Sequence, residues 1–307
     1  MEKKKIVFWG STHPQYELYC PNWIGVKKGL KEVAEDHLYL CCRSDPQFVQ
    51  KTIDFNPDLV ICGLTNPILE VKPLEKIRKA LPNAQVVFWY GDLRTYLSNK
   101  MHTDCSKLLD AMFVSNDGQE SFWKRTLNIE HVFFLPLGCT PIEEPIIDKR
   151  FAFDSVFIGC RNFSGDFAKR AMLINDFEIA GVKRIDSADS ALRAKIYQAM
   201  PSIYSSSKVV LDISHYTDIP GYTSVRYWEI PAFFGFGLTA RFPRCEEFYP
   251  ESIHAYFDTF EEALDKIKYY VEHDKERKEM VQKAHAHSYN HTHVKRLEQM
   301  FNILETI

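Results

Sequence analysis

The feature that most constrains this chain is a recurrence. Short unbroken apolar runs are each followed by an amphipathic stretch. KIVFWG (5–10), HLYLCC (37–42), PDLVICGL (57–64), AQVVFWYGD (84–92), AMFVSND (111–117) and HVFFLPLG (131–138) show little polar alternation. Such runs suit strands that are buried on both faces. Between them lie NWIGVKKGLKEVAED (22–36), DPQFVQKTIDF, LEKIRKAL and SFWKRTL. In the first of these, Ile24, Val26, Leu30 and Val33 recur at near-helical spacing. Six strand–helix alternations predict a parallel, doubly wound sheet.

TPIEEPIIDKR (140–150) breaks this rhythm with two prolines, five charges and no periodicity, and reads as a linker. The alternation then restarts. Strands are expected at FDSVFIG (153–159), VKRID (182–186), SSKVVLDIS (206–214), GLTAR (237–241) and IHAYF (253–257). Helices are expected at FAKRAMLINDF (167–177), VRYWEIPAFFG (225–235), in one or two pieces over 260–289, and at THVKRLEQMFNILETI (292–307). The expected fold class is α/β, with two doubly wound Rossmann-like domains facing a cleft. The first spans 1–143 and the second 144–290, and a terminal helix (291–307) packs across both. Ligands of such sheets bind beyond the carboxyl ends of the strands.

Composition removes several alternatives. At 307 residues, 45% hydrophobic and 26% charged, the chain can build two ordinary cores. A net charge of −3 gives no global attraction for nucleic acid. The eight cysteines include no CxxC pair, and several fall inside apolar runs, so buried free thiols in a reducing compartment are expected. No apolar run approaches the roughly 18 residues of a membrane span. A cytoplasmic protein without a membrane span is expected.

One stretch carries chemistry on its own terms. In GYTSVRYWEIPAFFGFG (221–237) a small polar loop opens an apolar helix. The loop comprises Gly221, Tyr222, Thr223, Ser224 and Val225. Its backbone N–H groups and the hydroxyls of Thr223 and Ser224 would sit at a helix N-terminus, which favours an anion such as a diphosphate. Arg226 in the first turn adds a fixed charge. The plainer alternative is a helix start whose Arg226 and Glu229 form a surface ion pair.

The ordered succession FIGCRNFSGDFAKR, SSSKVVLDIS, GYTSVRYWEIPAFFGFG, EEFYP, YFDTFEEAL, KERKEM and HTHVKR resembles the C-terminal domain of GT-B glycosyltransferases of the CgeB-like (spore maturation protein) type. The resemblance covers roughly residues 150 to 300. It implies transfer of a sugar from a nucleoside-diphosphate sugar, bound by the second domain, to an acceptor hydroxyl held by the first. It implies that Glu229 binds the donor ribose. Many relatives carry a second glutamate eight residues earlier, where this chain has Gly221.

The turn after the first strand of the second half, Gly159-Cys160-Arg161-Asn162, faces the donor phosphates in GT-B enzymes, so Gly159 and Arg161 join the diphosphate set. Arg161 also reads as an exposed loop residue. Lys208 is a further phosphate candidate or a solvated lysine. For the catalytic base an inverting reaction needs a carboxylate or histidine near the acceptor hydroxyl. Asp92, past one strand end, and His13, in the first loop, are the candidates. Asp92 also suits a helix N-cap. Tyr16, Asn22 and Trp23 would line an acceptor pocket, though Trp23 equally suits the core.

No metal site is expected. His285, His287, His291 and His293 lack a completing acid or cysteine, and no DxD pair lies at a strand end. No cofactor is expected beyond the nucleotide sugar as co-substrate. The acceptor is left open among a glycan, a protein, a small molecule or a DNA base. Phage enzymes of broadly similar architecture glycosylate DNA. Two other readings stay open: a non-catalytic sugar-nucleotide-binding module, and a sugar-nucleotide epimerase or hydrolase of the same fold.

Overall fold

A computed structural model describes residues 4–10, 20–42, 44–64, 70–91, 104–118, 120–163, 167–187 and 190–307. The chain divides into two compact units. One holds Met1–Leu18, Trp23–Leu137 and His293–Ile307, and the other Tyr19–Asn22 and Gly138–Thr292.

The first unit is a six-stranded sheet in the order β2-β1-β3-β4-β5-β6. Its strands are β1 (Lys5–Gly10), β2 (Asp36–Cys41), β3 (Leu59–Leu64), β4 (Gln85–Tyr90), β5 (Ala111–Val114) and β6 (Val132–Phe134). Every pairing is parallel. The connecting helices are α1 (Pro21–Val33), α2 (Phe48–Phe55), α3 (Val71–Ala80) and α4 (Glu120–Leu127). Strand burial explains the apolar runs: Ile6, Val7, Phe8, Val60, Ile61, Val86 and Val87 have no exposed surface. Trp23 is core, packed edge-on to Phe8 and Tyr39 with ring centres 6.1 and 6.2 Å away.

The second unit is a five-stranded parallel sheet in the order β11-β10-β9-β7-β8. It comprises β7 (Ser155–Ile158), β8 (Lys183–Ile185), β9 (Val209–Asp212), β10 (Gly237–Ala240) and β11 (Ala255–Phe257). Its helices are α5 (Ala168–Ile179), α6 (Ser190–Ser206), α7 (Val225–Ala232), α8 (Phe260–Glu272) and α9 (Asp274–Ser288). The chain leaves β7 toward β8 on one side, then crosses to β9 on the other. The switch point of the sheet therefore lies between the carboxyl ends of β7 and β9.

Two elements differ from simple periodicity. Helix α6 runs 17 residues through Pro201, a residue that normally marks a helix end. The run 260–289 is two helices separated at His273. The last helix, α10 (His293–Leu304), belongs to the first unit. There Leu297 lies against Gly29, and Arg296 donates to the Leu137 carbonyl at 3.2 Å. Among the described residues no helix is long and apolar enough to cross a membrane.

Gly63 in β3 is fixed by its neighbour. A Cβ there would stand 2.3 Å from the Phe8 ring. Gly63→Ala should therefore cost about 1–3 kcal/mol through overpacking. Adding Phe8→Leu should recover part of that loss, so the two changes should be non-additive in urea unfolding.

Candidate functional site

The switch point of the second unit is occupied by two arginines. Arg226, in the first turn of α7, donates from Nε to Asp212 Oδ1 at 3.2 Å. It also donates from Nη1 to the Ile158 carbonyl at 3.4 Å and from Nη2 to the Ile213 carbonyl at 3.0 Å. These partners are the ends of β7 and β9. Arg170, in the first turn of α5, donates from Nε to the same Ile213 carbonyl at 2.8 Å and from Nη1 to the Cys160 carbonyl at 3.4 Å. Both guanidiniums also lie over the Phe157 ring, at 5.5 Å for Arg170 and 5.1 Å for Arg226.

The charges do not balance. Among the described residues two guanidiniums meet one carboxylate, Asp212, which has no exposed surface. Burial and the Arg226 charge pull the Arg170 guanidinium down to about 10. Burial also raises the Asp212 carboxyl, against the pull of Arg226, Ser224 and Arg170. A guanidinium has five N–H donors, and Arg226 makes three bonds and Arg170 two. The cluster keeps positive charge and uncommitted donors where a parallel sheet binds its ligands.

Gly159 serves this cluster indirectly. A Cβ there would meet the Phe157 ring at 2.7 Å and Arg170 Nη2 at 3.5 Å. Its missing side chain makes room for the ring that carries both arginines.

Glu229 lies one turn beyond Arg226 on α7, close enough in helical spacing for the two side chains to interact. It is 1% exposed, and among the described residues neither carboxylate oxygen has a hydrogen-bond partner. Burial lifts its carboxyl to about 8, opposed by the Arg226 charge. The Tyr204 hydroxyl, also fully buried and without a partner, is pushed up by burial and by Glu229. Unpaired buried polar groups cost free energy, so their grouping beside the arginine pair marks this region as a candidate functional site.

The remaining expected residues divide clearly. Ser224 Oγ donates to Asp212 Oδ1 at 2.7 Å, which joins it to the cluster. Gly221 adopts φ +66°, where glycine is favoured, so a glutamate at this position would be strained. Thr223 is turned inward and accepts from Trp228 Nε1 at 2.9 Å, a packing role. Tyr222 is half-buried, with its ring 5.5 Å from that of Tyr216.

Arg161 does not join Arg226. It pairs with Glu178 at 2.7 Å and donates to Asn175 at 3.0 Å, toward the end of α5. Lys208 lies at the opposite, amino end of β9, paired with Asp154 at 2.7 Å. A parallel sheet presents its two ends to different places, so Lys208 and Arg226 cannot share one phosphate. Asp92, His13 and Tyr16 lie outside the described residues. Asn22 is half-buried in α1.

Three of the clustered histidines face backbone carbonyls. His287 and His291 direct Nε2 at the Phe248 carbonyl from 2.8 and 3.1 Å, and His285 directs Nε2 at that of Ile142 from 2.8 Å. Among the described residues no group of three or more histidines, cysteines or acids could hold a metal ion. Arg170 and Asp212 are the members that reading the sequence missed. In FAKR, Arg170 reads as a helix-surface arginine, and Asp212 in VVLD reads as the polar end of a strand.

Residues 164–302 match the model of a family described as glycosyl transferase-like. No curated protein sequence matches the chain. Three solved structures resemble it across nearly its whole length. An alpha-glucosyltransferase, solved with UDP and a 13-mer DNA containing an HMU base, is 11% identical with a TM-score of 0.69, covering 99% of this chain and 100% of that one. Anabaena HepE, solved with UDP and glucose, is 12% identical with a TM-score of 0.56, again covering 99% and 100%. The N-terminal domain of Candida albicans trehalose-6-phosphate phosphatase is 10% identical with a TM-score of 0.63, covering 98% and 96%. The fold is that of the GT-B glycosyltransferases. Its two Rossmann-like sheets have six and five strands, as the doubly wound reading expects.

The state of Glu229 has a measurable consequence. Its folded value, about 8, stands above the ordinary 4.5. The unfolded chain therefore binds fewer protons between these values, and stability falls as pH rises across that window. Glu229→Gln should remove this slope. In denaturant unfolding the variant should gain on the wild type by a few kcal/mol between pH 5 and pH 8.

Proposed function

We propose that this protein is a glycosyltransferase that takes a sugar from a nucleoside-diphosphate sugar bound in its second unit. The observation that carries the reading is the convergence of Arg170 and Arg226 on one carbonyl and one ring at the β7–β9 switch point, with unpartnered Glu229 one turn further on. Two guanidiniums with one carboxylate suit a diphosphate, whose oxygens accept from fixed forks. The glycosyl transferase-like match over 164–302 covers these residues and supports the same reading. The ordered motifs of this half favour a CgeB-like subtype.

In this reading Glu229 accepts bonds from the two vicinal hydroxyls of the donor ribose. Arg170, Arg226 and the open N-terminus of α7 bind the diphosphate. As the sugar–phosphate bond breaks, the leaving diphosphate gains charge, and these fixed donors stabilise it without reorganising. They supply the positive charge that a metal supplies elsewhere, so the transfer is metal-independent. Asp92 or His13 would take the acceptor proton. The acceptor itself, including the DNA base that the alpha-glucosyltransferase neighbour invites, is a matter for the first unit.

A thermal-shift screen against UDP, GDP, ADP, CMP and dTDP, with and without magnesium, tests the donor site. One diphosphate should raise the melting temperature without metal. No shift with any of them would defeat the reading. Binding without donor hydrolysis or transfer would favour a non-catalytic module.

Variants sharpen the assignment. Arg170→Ala and Arg226→Ala should each weaken that nucleotide at least about tenfold, as expected for a charge-assisted contact. Arg161→Ala and Lys208→Ala should stay within about twofold, since neither shares the site. Because ribose hydroxyls donate to the ionised carboxylate, wild-type affinity should rise with pH until about 8. Glu229→Gln should bind weakly and lose that dependence, which calorimetry at several pH values would read.

A further inference from the structure

Ser224 stands at the N-cap of α7, with φ −75° and ψ 159°. A serine there ordinarily turns its hydroxyl back onto the N–H groups of the first turn. Here no side chain caps the helix. The Ser224 hydroxyl donates instead to Asp212 Oδ1 at 2.7 Å, while the Ser224 N–H donates to Ser214 Oγ at 2.9 Å. The same Asp212 oxygen receives Arg226 Nε at 3.2 Å. Asp212 Oδ2 has no partner, and the residue has no exposed surface.

One buried carboxylate oxygen thus diverts the natural cap of α7 and holds the inner edge of the first-turn arginine. A buried acid within a cluster that attracts anions is an odd choice if charge alone matters, because it cancels one of the two positive charges. Its geometry explains it.

We propose that Asp212 is the positioning residue of the anion site: it draws the Ser224 hydroxyl off the first turn of α7 and, together with the Ile158 and Ile213 carbonyls, holds Arg226, so that the helix N-terminus and the remaining N–H groups of the guanidinium are left to a ligand phosphate. This rests on the donor reading above, with the diphosphate as the ligand. Asp212 touches no reacting atom and acts through Ser224 and Arg226. Without it, Ser224 caps α7 and competes with the phosphate for the same N–H groups, and Arg226 keeps only its two carbonyl partners, Ile158 and Ile213.

Geometry and charge make opposite predictions. By charge alone, Asp212→Ala removes a repulsive neighbour and tightens anion binding. By positioning, it weakens binding at least about tenfold, the scale of a lost charge-assisted contact. Asp212→Asn keeps an acceptor for both donors and should stay within about threefold of wild type. Ser224→Ala, added to Asp212→Ala, removes the competing cap and should restore part of the lost affinity.

The experiment is calorimetric titration of the whole 307-residue chain and these variants with UDP, GDP, ADP, CMP and dTDP, with melting temperatures recorded alongside. If Asp212→Ala does not fold, Asp212→Glu carries the same contrast. It keeps the charge but moves the oxygen, and should weaken binding at least about fivefold if position matters. Wild type binding none of the five nucleotides would overturn the donor reading and this proposal together. Wild type binding one of them, with Asp212→Ala or Asp212→Glu binding as tightly or more tightly, would overturn the positioning role alone. Weakening by both, with partial recovery on adding Ser224→Ala, is the expected result.

Discussion

The Ile213 carbonyl is where the second unit concentrates its chemistry. It accepts from Arg170 at 2.8 Å and from Arg226 at 3.0 Å. Two like charges meeting on one oxygen repel each other. The arrangement persists because neighbouring features oppose that repulsion: Asp212 beneath Arg226, the Phe157 ring under both guanidiniums, and strand-end carbonyls on either side. The glycine at 159 exists in this geometry to admit the ring. An anion such as a phosphate would relieve the remaining imbalance.

The same logic separates stabilising polar groups from poised ones. Tyr227, Tyr256 and Thr223 are buried with partners, and they hold the α7 region together. Glu229 and Tyr204 are equally buried and have none. Leaving the second set unsatisfied gives up stability next to Arg226, as the first unit does at Asn116 and Trp123.

Much of the fold was legible because parallel strands buried on both faces must be continuously apolar. The runs KIVFWG, LVICGL and VVLD could be read as strands for that reason, and all three are. Helix α6 was not legible, because Pro201 and its serines look like a break. Arg226 and Glu229 stood out because a charged pair opening an apolar helix after a glycine loop is unusual. Arg161 and Lys208 stood out for a poorer reason, their closeness in sequence to strand ends. One turned along α5 to Glu178, and the other sits at the wrong end of β9.

The alternation of strand and helix, the parallel class of both sheets and the presence of a charged pair at the α7 start could all be read from the residues alone. These follow from local periodicity and from the residues next to one helix terminus. The tertiary structure alone decided which second cation joins Arg226, which carboxylate restrains it, and that Glu229 is buried without a partner. Arg170 lies 56 positions before Arg226 and on another helix. Only the crossing of the chain from β8 to β9 brings the two to a single carbonyl, and no local pattern encodes that meeting.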